Sequence, residues 1–120
     1  MVTVVDYGLS NLHSVAKTFE ALGCAVQVAS DAEALASAER IVLPGDGAFA
    51  AGMENLRRLN LIKSLRREVL ERGKPFLGIC LGMQLMARTS WERGCWEGLN
   101  WIAAEVHPLR PHAALRVPHM

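Results

Sequence analysis

The stretch best suited to covalent chemistry is a glycine-flanked cysteine, Gly78-Ile79-Cys80-Leu81-Gly82. An apolar run over 76–79 precedes the cysteine and helical spacing follows it, which places Cys80 on a strand-to-helix turn. Glycines on either side relieve the crowding of a sharp turn that lifts the middle side chain out of the sheet. The Leu81 N–H would then point where an oxyanion could collect, and a helix N-terminus favours thiolate over thiol. This is the setting of a nucleophilic cysteine. The competing reading is a small buried apolar side chain, which is what most free cysteines are.

Two further features could complete such a site. Gln84 follows Cys80 by one helical turn, so its amide can face the same pocket and bind an amide or carboxylate. Pro44-Gly45-Asp46-Gly47 is a second turn rich in N–H groups, at the end of another apolar run. Two such turns at neighbouring strand ends would frame one oxyanion or anion site. The spacing is not that of a Walker loop, so nucleotide phosphate is a poor ligand.

A thiol nucleophile normally needs a base, and the four histidines offer little. His13 falls on the polar side of the first helix, and His107, His112 and His119 lie in a proline-broken tail. Cys24 and Cys95 lack the context of Cys80 and read as structural or incidental. The three cysteines form no CxxC pair and have no histidine fork, so neither a disulfide framework nor a metal site is expected. No cofactor is implied.

The elements that must position these groups alternate strand and helix. Val2–Val5 reads as a buried strand, with Ser10 or Asn11 as N-cap of the helix after it. Leu12, Val15, Ala16, Phe19 and Leu22 give that helix its apolar face, and Gly23 ends it. Val26 and Val28 mark a second strand, and Ser30 or Asp31 caps a short alanine-rich helix. Arg40–Leu43 is a third strand, then Phe49, Met53 and Leu56 occupy one segment and Ile62, Leu65 and Val69 a helix ending at Gly73. The fourth strand spans 76–79. This alternation predicts an α/β fold: a doubly wound, mostly parallel sheet with helices on both faces. Beyond Ala87 the pattern weakens. Trp91, Trp96 and Trp101 recur at five-residue intervals and read as packing residues of an irregular excursion, with a strand within 99–106 and another starting at 115–117.

Composition closes off other classes. At 120 residues the chain has the size of one domain, able to bury about two-thirds of its unfolded surface. Thirteen basic against 12 acidic residues leave a net charge of +1, no general field for nucleic acid or an acidic membrane. The cluster of Arg57, Arg58, Lys63, Arg66, Arg67 and Arg72 is interrupted by Glu68 and Glu71 and reads as a solvated helix face. No stretch resembles a signal or a membrane span, so a cytoplasmic location is expected.

The heptad Gly78-Ile79-Cys80-Leu81-Gly82-Met83-Gln84 resembles the nucleophile motif of class I glutamine amidotransferases. Within that family the flanks resemble the glutaminase subunits of imidazole glycerol phosphate synthase. The matching stretches are Val5-Asp6-Tyr7-Gly8 with Asn11-Leu12 and Ser14-Val15, then Leu43-Pro44-Gly45-Asp46-Gly47-Ala48-Phe49, Glu97-Gly98-Leu99 and Val117-Pro118-His119-Met120. The resemblance implies that residues 1–120 are the N-terminal part of one amidotransferase domain. Glutamine would bind beside Cys80, which attacks the side-chain amide, releases ammonia and forms a thioester that water hydrolyses. Leu81 and the turn of Gly45, Asp46 and Gly47 would serve the oxyanion, and Gln84 would hold the substrate. Ammonia would pass to a cyclase subunit in a heterodimer, with Asn11, His119 and Met120 facing that partner.

The sequence departs from the pattern in three ways. Ser10 stands where glycine is common, the tryptophan-rich stretch is unusual, and the chain stops where Gly-Trp-Asn would follow. The histidine and glutamate that complete the family's triad are absent from these 120 residues. The expectation is a chain inactive by itself, of low stability, prone to self-association or dependent on a partner. Two other readings stay open: a truncated remnant that only binds the cyclase, and an α/β thiol protein in which Cys80 senses oxidants or carries a ligand.

Overall fold

The computed structural model describes residues 1–9 and 11–109. Ser10, His112, His119, Met120 and the expected strand at 115–117 lie outside the described residues. Four short apolar strands, β1 (Val2–Val5), β2 (Val26–Ala29), β3 (Arg40–Leu43) and β4 (Phe76–Gly78), form one sheet in the order β2-β1-β3-β4. Every pairing in it is parallel, with Val2 opposite both Val26 and Arg40, and Leu43 opposite Gly78. Parallel neighbours need crossovers, and the helices α1 (Leu12–Ala21), α2 (Ala32–Ala36), α3 (Phe49–Arg58) and α4 (Leu61–Arg66) supply them.

Alternation along the strands divides the core between two faces. Val2, Val4 and Val42 meet Leu12, Val15 and Phe19 of α1 on one face. Val5, Ile41 and Leu43 meet Leu35, Phe49, Leu56, Leu61 and Leu65 on the other. Each fully buried leucine or phenylalanine contributes roughly 1.5–3 kcal/mol of transfer free energy. Helices on both faces are therefore borne out.

Local signals explain the helix ends. Gly23, at φ +86°, closes α1: its N–H donates to the Glu20 carbonyl and the Cys24 N–H to that of Phe19. These paired bonds satisfy carbonyls that a helix end otherwise leaves open. Asn11 occupies the N-cap position of α1 but makes no side-chain cap bond, whereas the Asp31 carboxylate accepts from the Ala34 N–H at 2.8 Å. Helix α4 continues into a π-helical turn over Arg67–Glu71.

Two expectations need correction. Glu68 is buried rather than solvated, because Lys74 reaches it at 2.7 Å and Arg72 at 3.2 Å. The stretch beyond Ala87 is a second sheet and not an irregular excursion. It joins β5 (Ala87–Ser90), β6 (Trp96–Glu97) and β7 (Ile102–Val106) in the order β6-β5-β7, antiparallel between β5 and β6 and parallel between β5 and β7. Of the three tryptophans, Trp101 packs edge-on against Phe76, with centroids 4.9 Å apart. Trp91 and Trp96 are exposed, and their indole N–H groups donate to the Glu105 carboxylate and the Glu92 carbonyl. Among the described residues no helix is long and apolar enough to cross a membrane.

Candidate active site

Cys80 joins β4 to the single helical turn α5 (Leu81–Gln84). Its backbone sits at φ 52°, ψ −115°, a conformation that costs a non-glycine residue roughly 1–3 kcal/mol. The surroundings leave it no alternative. The Ile79 N–H donates to the Leu43 carbonyl, and the Met83 and Gln84 N–H groups both donate to the Cys80 carbonyl. A Cβ on Gly78 would come within 2.8 Å of the Gly82 carbonyl and the Met83 backbone, and one on Gly82 would collide with the Leu43 carbonyl. Both flanking glycines are thus required by close backbone approach, as their spacing suggested. The turn holds the Cys80 side chain exposed, not buried in the core.

The 44–47 turn lies beside it at the end of β3. Pro44 and Gly45 are buried, while Asp46 and Gly47 are exposed. Gly45 and Gly47 have φ of +154° and +99°, values available to glycine. The Tyr7 hydroxyl donates to the Pro44 carbonyl at 2.5 Å. Burial first, and then the charge of Asp46, raise the Tyr7 phenol above its ordinary pKa, so it stays a donor at neutral pH.

The Leu81 N–H is the point where expectation and structure part. It donates to the Gly45 carbonyl at 3.2 Å and does not stand open to a ligand. Leu81 is buried, and a buried N–H takes an acceptor within reach because leaving it bare is costly. The two turns do frame one site, but in this arrangement they satisfy each other.

A cavity of about 930 Å³ brings the candidates together: Gly45, Asp46, Gly47, Cys80, Leu81 and Gln84 all line it. Glu92 and Arg93 line it too, and sequence reasoning missed both. They reach it because β5 carries the chain back past the start of α3, where the Glu92 carboxylate accepts from the Phe49 N–H at 3.4 Å. No local motif marks them; only the second sheet puts them there. Asn11 is half-buried at the head of α1, its side-chain carbonyl without a hydrogen-bond partner among the described residues, and it does not line this cavity.

Among the described residues no histidine lines the cavity. His13 is exposed on α1, and His107 stacks on Trp91 beside Glu105. Cys24 packs behind α1 and Cys95 is exposed on the second sheet's hairpin. No group of three or more metal-ligating side chains occurs among the described residues.

Residues 3–103 match the family described as glutamine amidotransferase class-I. The chain belongs to that family. It is 42% identical over 120 residues to imidazole glycerol phosphate synthase subunit HisH 1 of Campylobacter jejuni, covering 100% of this chain and 60% of that protein. It is 45% identical over 124 residues to subunit HisH of Zymomonas mobilis, covering 99% of this chain and 58% of the relative. The chain thus spans about 60% of the length of the curated relatives it matches. A solved glutamine amidotransferase superposes with a TM-score of 0.74 at 18% identity, over 89% of this chain and 56% of that one. A putative peptidase E of Listeria monocytogenes gives 0.69 at 16% identity, over 85% and 62%. These likenesses concern the fold alone. The family match favours an amidotransferase origin over a general α/β thiol protein.

Proposed function

We propose that the chain carries the nucleophile half of a glutaminase that acts with a cyclase subunit in making imidazole glycerol phosphate, in the cytoplasm. The observation that carries this reading is Cys80, held at φ 52° on the turn between β4 and α5 and opening into the cavity that the 44–47 turn shares. In the proposed reaction the Cys80 thiolate attacks the side-chain amide carbon of glutamine. The carbon–nitrogen bond breaks, nitrogen leaves as ammonia after taking a proton, and a thioester remains. Water then attacks the thioester, giving glutamate and restoring the thiol. Gln84 would hold the substrate, and the opposite charges of Glu92 and Arg93 suit its α-ammonium and α-carboxylate.

Two consequences follow from the geometry. The tetrahedral oxyanion needs a donor, and the Leu81 N–H is engaged by the Gly45 carbonyl. Turnover therefore requires the Gly45 carbonyl to swing away. The reaction also needs a base, and the cavity offers no histidine among the described residues; by the family resemblance it comes from a histidine–glutamate pair outside these 120 residues. The chain alone should then turn over glutamine at a small fraction of a complete glutaminase, because triad members act as a unit.

The test is glutamate release from glutamine with the cyclase subunit present, comparing the chain with Cys80→Ala. A Cys80-dependent signal, however slow, supports the glutaminase reading. Equal release from both proteins, with cyclase binding retained, would leave only a partner-binding module.

A further inference from the structure

The Asp6-Tyr7-Gly8 turn after β1 has no part in the proposed chemistry, yet Tyr7 is 1% exposed and reaches across to β3's exit. Its hydroxyl donates to the Pro44 carbonyl at 2.5 Å. The next residue, Gly45, takes the Leu81 N–H on its own carbonyl at 3.2 Å. A Cβ on Gly45 would land on the Tyr7 hydroxyl and crowd Leu81 Cβ at 3.2 Å and Leu9 Cδ1 at 3.3 Å. One phenol therefore fixes the carbonyl immediately before the peptide that covers the oxyanion donor.

We infer that Tyr7 is a positioning residue, a latch whose hydroxyl holds the 44–47 turn with the Gly45 carbonyl on the Leu81 N–H. The latch sets how often that N–H is free, and thus how often the site can accept an oxyanion. This rests on the glutaminase reading for its purpose, but its mechanics do not involve Cys80 or glutamine. Tyr7 is suited to the task because the Pro44 carbonyl is anchored by a donor from the turn after another strand, β1. Releasing that donor loosens the turn without disturbing the bonds that hold β3 to β1 and β4.

Amide hydrogen exchange read residue by residue tests the latch on the chain itself. In the unsubstituted chain the Leu81 N–H should be protected, comparably to the Ile79 N–H that donates to Leu43 at 3.0 Å. Tyr7→Phe should speed Leu81 exchange roughly tenfold, the loss of one net hydrogen bond, while Ile79 and the β3 amides keep their protection. Unchanged Leu81 exchange in Tyr7→Phe overturns the latch. So does an equal rise across β3, β4 and Leu81, which is what a merely space-filling tyrosine would give. Were Tyr7→Phe not to fold, fast Leu81 exchange in the unsubstituted chain would be sufficient to overturn it. Failure of glutamine hydrolysis would leave the exchange result standing, so the two readings fail separately.

Discussion

The centre of the main sheet and its β4 edge use the same kinds of residue with opposite outcomes. In β1 and β3 the apolar run is enclosed on both faces, and Val4, Val5, Ile41 and Leu43 are at most 1% exposed. In β4 the equally apolar Phe76-Leu77-Gly78 pairs with β3 on one side and with nothing on the other among the described residues. Leu77 is 49% exposed there, and Met83 of the following turn 53%. A parallel strand of this composition is built for burial, so the described residues leave the main sheet open at β4. The candidate nucleophile stands just beyond this edge strand. On its β3 side the turn of Gly45, Asp46 and Gly47 shares the cavity with it.

The largest test of that contrast is at the joint between the two regions. Gly82→Ala drives a methyl into the Leu43 carbonyl, so α5 and the end of β3 cannot keep their present approach. The expected loss is about 3 kcal/mol or more in urea unfolding, the overpacking penalty at its upper end. Near-native stability in this variant would mean that the Cys80 turn is not anchored to β3. A second test sets one leucine against another. Leu56→Ala, at a site with no exposure, should cost roughly 2–5 kcal/mol, whereas Leu77→Ala should change stability by no more than about 0.5 kcal/mol. A comparable cost at Leu77 would show that something covers its face of β4 in solution, a second copy being the first to check by sedimentation at several concentrations.

The same contrast explains what could be read from sequence. β1 and β3 were legible because strands buried on both faces are nearly continuous apolar runs, and Gly23 and Asp31 announced helix ends through their own bonding. The Cys80 turn was legible because glycine at 78 and 82 answers a local steric need. Of the second sheet only β7 was, falling within the strand expected at 99–106; β5 and β6 were not. Ala87-Arg88-Thr89-Ser90 has neither alternation nor a continuous apolar core, and β6 is two residues long. Its strands are specified by pairing with distant segments, so Glu92 and Arg93 carried no mark of their place in the cavity. The partner of the Leu81 N–H was not legible for a related reason. A motif gives the donor's direction, but which acceptor it finds depends on the Gly45 carbonyl, 36 positions earlier in the chain. Burial of Glu68 was hidden by its basic neighbours, which suggested solvent and instead include the cations that pair with it.

Glu68 offers the smallest of these tests and the one with a pH signature, because it ties the approach to β4 back to the enclosed part of the sheet. Lys74, just before β4, holds the Glu68 carboxylate at 2.7 Å and donates to the Leu35 and Ala36 carbonyls at 3.2 and 2.9 Å, at the end of α2. Burial pushes the Glu68 carboxyl up, but the Lys74 hydrogen bond and the charges of Lys74, Arg72 and Arg67 outweigh it and hold the pKa below the ordinary glutamate value. A carboxyl lowered on folding adds stability that is complete above its unfolded pKa and disappears as pH falls through its folded one. Glu68→Gln should therefore cost about 1–3 kcal/mol at neutral pH, with the two proteins converging as acid protonates the native carboxylate. Parallel stability profiles down to the acid limit would deny the tie. They would mean that β4's approach is held by packing alone, and that the edge depends on the centre less than the Lys74 bonds imply.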